Sequence, residues 1–143
     1  MSGQETAHFT LSDREAINEM FENYSLSFGE RDYVELRDYL QVPFLYFPEE
    51  PVVFENLDNV IKAYGNLRQA LDELDYGYSK IIETRITALS SNRALVNKTY
   101  QRFKKDGTFL EKRAFLYIVS KDNGKWKIYG ILEQDLSNFG KIY

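Results

Sequence analysis

The chain of 143 residues has no cysteine, which excludes disulfides, thiolate nucleophiles and cysteine metal sites and leaves its redox compartment open. It has one histidine, His8, ahead of the first helical pattern in a stretch expected to be loose and chemically inert. No histidine and carboxylate cluster stands at ligand spacing, and Asp72, Glu73 and Asp75 read as a solvated helix end, so no metal site is expected. A glycine-rich phosphate loop and a Gly-x-Ser-x-Gly elbow are both missing, which removes nucleotide binding and serine hydrolysis and leaves no cofactor implied. Positive charge is scarce too. The net charge is −4, the pI about 5.1, and the Lys104-Lys105 pair is too short to grip phosphates, so nucleic acid is not an expected partner. Residues 1–10 carry neither a basic start nor an apolar run and are expected as a flexible N-terminus, and no apolar stretch approaches the ~18 residues of a membrane span. A soluble, cytoplasmic chain with no membrane partner follows as the expectation.

What the chain has is aromatic bulk. Ten Phe and eleven Tyr within a hydrophobic content of 43% can fill one sizeable core, and the length suits one domain without a linker or internal repeat. Ser12 and Glu15 form a capping box and Gly29 a stop, predicting a first helix over 13–28 whose inward stripe is Ile17, Met20, Phe21, Tyr24 and Phe28. A second short helix is expected over 32–40, ended by Pro43. The apolar run Phe44-Leu45-Tyr46-Phe47, bounded by Pro43 and Pro48, reads as a short strand returning through Val52-Val53-Phe54. Over 58–74, Val60, Ile61, Tyr64, Leu67, Leu71 and Leu74 give a third helical stripe, with Gly65 as a weak spot where it would break.

From Tyr78 to Asp135 four strands are expected, joined at Ser90-Ser91-Asn92, Asp106-Gly107 and Asn123-Gly124. If Lys105 opposes Thr108 and Asp122 opposes Lys125, one face carries Asn97, Thr99, Gln101, Lys112, Ala114, Leu116, Tyr129, Ile131, Glu133 and Asp135. The other carries Tyr100, Arg102, Phe109, Phe115, Tyr117, Ile128 and Leu132. The fold class is therefore α+β, with helices covering one face of a curved antiparallel sheet and a C-terminal tail over 136–143.

The first helix with its Tyr24-Ser25-Leu26-Ser27-Phe28-Gly29-Glu30-Arg31-Asp32 exit, the helix over 58–64 after a hairpin, and the Gly124-Lys125-Trp126-Lys127-Ile128 strand entry resemble the nuclear transport factor 2-like superfamily, the cone-shaped or cystatin-like fold of polyketide cyclases and ketosteroid isomerases. The resemblance covers nearly the whole chain. It matches Tyr24, eight residues before Asp32, to the oxyanion-hole tyrosine of ketosteroid isomerase. The general base of that enzyme would fall at or beside Pro48 and its second oxyanion-hole acid at Leu116, where no proton can be taken or given, so steroid isomerisation by that mechanism is not expected. The resemblance turns Leu116, Tyr129, Ile131 and Glu133 toward the cavity, as the turn counting does.

The polar and small residues Asn97, Thr99, Gln101 and Ala114 leave room, so this face is read as the wall of a largely apolar pocket, capped by Tyr24, Tyr46, Phe47 and Tyr64. Glu133, an inward carboxylate without an adjacent cation, is the candidate acid or base, and Tyr24 the candidate hydroxyl donor, each set against an ordinary packing role. Lys112 beside Asp135 reads either as an ion pair that orients a ligand or as an exposed pair at the cone mouth. The opposite face, with Phe109, Phe115, Tyr117, Ile128 and Leu132 rimmed by Tyr100, Arg102 and Arg113, is expected to pair with a second copy, the alternative cover being the C-terminal tail with Phe139, Ile142 and Tyr143. The functional readings are a domain that binds a small apolar or aromatic molecule, a cofactor-free isomerase, cyclase or dehydratase using Glu133 and Tyr24, or a protein-interaction module using the sheet face.

Overall fold

A computed structural model of the chain describes residues 8–47 and 50–134, so the expectations placed on Pro48, Asp135 and the tail over 136–143 lie outside the described residues. Helix α1 spans Leu11–Glu30, with Thr10 rather than Ser12 as its cap. The Thr10 hydroxyl accepts from the Asp13 amide at 3.1 Å while the Asp13 carboxylate accepts from the Thr10 amide at 2.9 Å. Asp13 wins this role because it is also the acceptor for Lys121 Nζ at 2.8 Å and Trp126 Nε1 at 3.3 Å, which tie the helix start to the sheet. The helix ends at Arg31 in the left-handed conformation (φ 60°), two residues past Gly29, with the Arg31 and Asp32 amides donating back to Phe28 and Ser27. Its expected stripe is buried at Ile17, Met20, Phe21 and Tyr24.

Helix α2, Tyr33–Leu36, is capped by Asp32 and runs into a 3-10 turn over Arg37–Tyr39. Helix α3, Leu57–Glu73, starts at Asn56, whose side chain accepts from the Asp58 and Asn59 amides. It does not break at Gly65, where an added Cβ would meet the Tyr33 ring only at an ordinary contact distance of 3.9 Å. No helix among the described residues is long and apolar enough to cross a membrane.

The strands are β1 Leu40–Phe47, β2 Val52–Phe54, β3 Tyr76–Ser90, β4 Arg93–Lys104, β5 Phe109–Asp122 and β6 Lys125–Gln134, in sheet order β2-β1-β6-β5-β4-β3. The sheet is mixed rather than wholly antiparallel, because β1 runs parallel to β6. The chain from β2 through β5, with α3, forms the crossover that such a parallel pair needs.

Pairing follows the expected register through most of the meander. Gln101 opposes Lys112, Thr99 opposes Ala114, Arg102 opposes Glu111 and Tyr100 opposes Arg113. The β5–β6 pairing also starts as expected at Asp122 and Lys125, but it slips by one residue between Val119/Ile128 and Ile118/Gly130, where Tyr129 is the extra residue of a bulge. Beyond it Tyr117 opposes Ile131 and Phe115 opposes Glu133.

The choice of face is overturned for β4 and β5. Tyr117 stands at 4.9 Å from the Phe21 ring and 5.8 Å from that of Tyr24, so Tyr100, Arg102, Arg113, Phe115 and Tyr117 point to the helices, and Ile128 lies in the core. None of these six can serve the dimer face for which they were expected. Burying aromatic area beneath an apolar helix stripe is worth more than lining the same wall with amides and threonine. Phe109 and Leu132 do stay on the convex side, the first exposed, the second opposite Leu116. Asn97, Thr99, Gln101, Lys112 and Leu116 therefore also face away from the helices, contrary to the pocket reading. The bulge keeps Ile131 and Glu133 on the concave side.

Candidate functional site

Two connected hollows occupy the space between α1, α3 and the concave sheet. The inner one is a hollow of about 50 Å³ bordered by tyrosines, and the outer one a cleft of about 160 Å³ reaching Tyr46 and Leu74. Leu67, Arg102, Phe115 and Ile131 belong to both walls. Two larger depressions, beside Tyr39 and Trp126 and beside Tyr33 and Gly65, are open grooves with no buried convergent polar groups.

Four tyrosine hydroxyls form the end of the inner cavity. Tyr24 and Tyr64 share a hydrogen bond of 2.8 Å and Tyr100 and Tyr117 one of 3.3 Å, while Tyr117 also meets Tyr24 and Tyr100 meets Ser25. α1 delivers Tyr24 and Ser25, α3 delivers Tyr64, and the neighbouring strands β4 and β5 deliver Tyr100 and Tyr117. Burial, the largest cause, pushes Tyr24, Tyr64 and Tyr117 well above the ordinary value of 10.0 and Tyr100 up to about 12. Near neutrality these groups are protonated hydrogen-bond partners, not bases.

The outer cleft carries a row of charges of alternating sign. Arg102 Nη1 donates to Glu111 at 2.7 Å, Arg113 Nη2 forms an ion pair with the other oxygen of Glu111 at 3.3 Å, and Arg113 Nη1 donates to Glu133. Burial works against the Glu111 charge, but the hydrogen bond from Arg102 and the two guanidinium charges outweigh it and hold its carboxyl below the ordinary range. Glu133 has the adjacent cation that the sequence reading assumed absent.

Of the residues expected at the site, the structure brings together Tyr24, Tyr46, Tyr64, Ile131 and Glu133. Asn97 instead donates to Gln134 at 2.9 Å, Tyr129 donates from its bulge to Asp122 at 2.8 Å, and Phe47 lines neither hollow. Thr99, Gln101, Lys112 and Leu116 are on the convex face. The residues missed are Ser25, Phe28, Leu67, Ala70, Leu71, Leu74, Ser79, Tyr100, Arg102, Glu111, Arg113, Phe115 and Tyr117. The available signal was the run of large side chains at two-residue steps on β4 and β5, Tyr100 with Arg102 and Phe115 with Tyr117, opposite a helix stripe that needs large partners.

The model of the family described as NTF2-like protein (DUF6841) matches residues 12–136. No curated protein sequence matches the chain. Among solved structures, a protein of unknown function with a cystatin-like fold from Nostoc punctiforme PCC 73102 superposes with a TM-score of 0.74 at 12% identity, over 88% of this chain and 92% of that one. An NTF-2 like protein of unknown function from Shewanella oneidensis MR-1 does so with a TM-score of 0.66 at 16% identity, covering 85% and 98% of the two chains. LinA gives a TM-score of 0.68 at 12% identity, with coverage of 87% and 86%. With 125 consecutive positions inside the family model, this chain belongs to the NTF2-like protein family DUF6841.

Proposed function

We propose that the chain is a small-molecule-binding domain whose ligand occupies the hollow between α1, α3 and the concave sheet. The observation that carries this reading is the buried row of tyrosine hydroxyls bordering an apolar hollow that shares a wall with a wider cleft, the usual form of a ligand site. The hollows are small beside the ~300 Å³ or more typical of drug-sized ligands, so the molecule has a small apolar or aromatic body. Proton-transfer chemistry through Glu133 and Tyr24 is the weaker alternative. The only carboxylates among the described lining residues, Glu111 and Glu133, are both engaged by arginine. Tyr24 is suited to donate a hydrogen bond rather than to abstract a proton. The test is a fragment screen followed by amide chemical shifts. Shifts clustered at Leu67, Phe115 and Ile131, and abolished by Leu67→Trp in a folded protein, support the site; shifts confined to other surfaces refute it.

We also propose that a second copy covers the convex face. The half-buried apolar side chains of Leu116, Ile118 and Leu132 lie together on that face. Sedimentation should show a dimer that Leu116→Lys with Leu132→Lys converts to a folded monomer; a monomeric parent chain at tens of micromolar would refute the pairing.

A further inference from the structure

We infer that the ligand carries a carboxylate, seated in the inner cavity against Arg102, with its apolar remainder in the outer cleft. The inference rests on the proposed pocket and adds a substrate class to it. Among the described residues Arg102 is the only charged one lining the inner cavity, and it is 8% exposed. Its Nη1 is committed to Glu111, while no other described side chain or carbonyl takes the hydrogens on its Nε and Nη2. A guanidinium holds five donors in a fixed fork, and an arginine this deep with donors to spare leaves them for an acceptor in the space it lines. The remaining polar groups of that space are hydroxyls, from the four tyrosines, Ser25 and Ser79, which can all donate.

The charge row has a direction. Its two arginines and two glutamates balance, but Arg102 lies at the deep end with 9% of its side chain exposed against 39% for Arg113. Among the described lining residues, the inner cavity therefore meets Arg102 as its one charge, whereas the outer cleft is lined by all four members of the balanced row. The Phe115 ring lies 5.8 Å from the guanidinium and supports it from the side shared by both hollows. A planar carboxylate matches this fork in two parallel hydrogen bonds, whereas a neutral amide of the same shape loses the charge and sets an NH₂ donor against donors.

Phenylacetate and phenylacetamide, which differ little in shape, provide the probes, with affinity read by chemical-shift titration at pH 7. The acid should bind at least tenfold tighter than the amide. Arg102→Gln should reduce that preference to about one, and Arg102→Lys, which retains charge if the first variant fails to fold, should leave it between. Equal binding of acid and amide in the cavity would overturn the carboxylate while leaving the pocket standing. Binding of neither probe, or none in the cavity, would overturn both.

Discussion

The hydroxyls of Tyr24 on α1 and Tyr64 on α3, forty residues apart, meet at 2.8 Å beneath the sheet tyrosines. The bond joins the two helices at the point where the cavity ends, so it serves the packing of the cone and the shape of the site together. Removing one oxygen strands the other in a buried place. Tyr24→Phe and Tyr64→Phe should each lower stability by about 1–2 kcal/mol, and the double variant should lose less than the sum by about 0.5–1 kcal/mol. Urea unfolding of the four proteins measures that coupling; additive losses would show that the contact carries no energy.

Asp13 joins the start of α1 to Lys121 and Trp126. The hydrogen bond from Lys121, with those from Thr10 and Trp126, lowers its carboxyl from 3.8 to about 2 against the opposing effect of burial. A carboxylate with a depressed folded value binds its proton less readily than in the unfolded chain. Its stabilisation is complete above pH 3.8 and is lost as the pH falls toward 2. Asp13→Ala should cost about 1–3 kcal/mol at pH 7, and the difference from the parent should shrink between pH 4 and pH 2. Thermal unfolding across that range checks it.

Lys98 is buried, with Nζ 4.8 Å from the centre of the Phe21 ring and 3.2 Å from the Thr84 hydroxyl. Burial lowers its ammonium from 10.5 to about 8, opposed only by the charge of Glu22. The unfolded chain keeps that proton up to pH 10.5, so between pH 8 and 10.5 this group makes stability rise with pH. Tyr24, Tyr64 and Tyr117, raised above 10.0, act in the opposite direction once the unfolded phenols ionise. Lys98→Met isolates the lysine: it should gain roughly 1–3 kcal/mol at pH 7 and less at pH 9.5. An unchanged or lower stability at pH 7 would contradict the assignment.

Gly77 opens β3 against the β4–β5 turn. A Cβ there would stand 2.7 Å from the Lys104 carbonyl oxygen and 2.8 Å from Lys105 Cα, both backbone atoms with nowhere to yield. Gly77→Ala should therefore cost about 1–3 kcal/mol. Gly29→Ala, in the last turn of α1 with open space around it, should be neutral or gain up to about 1 kcal/mol. Melting temperatures of the two variants should move in opposite directions or, at the least, differ clearly.

Element order and strand register were legible because turn chemistry and helix stripes are local. The pairing of Gln101 with Lys112 survives even though Phe103 meets Phe109 one step out of phase near the turn, because a bulge at Leu110 restores the count. The bulge at Tyr129 was not legible: no local residue type requires it, and Gly130, where an added Cβ would stand 3.1 Å from Leu45 Cβ, shows its reason only once β1 lies alongside. The face of β4 and β5 failed for a different cause. Small and polar side chains in a strand suggest a cavity wall, whereas this cone builds its cavity among large aromatics whose rings leave gaps and whose hydroxyls line them. The register that the turns imply sets Arg102 opposite Glu111, but the pair lies on the concave side rather than at the rim of the outer face.

The central claim is that a small molecule lies on the concave side of β5 and β6, and intermolecular NOEs from bound phenylacetate test it most directly. The account predicts contacts from the phenyl protons to the Ile131 methyl groups and the Phe115 ring, with none to Leu116, Ile118 or Leu132. NOEs to Leu116 and Leu132 in place of Ile131 and Phe115 would contradict it.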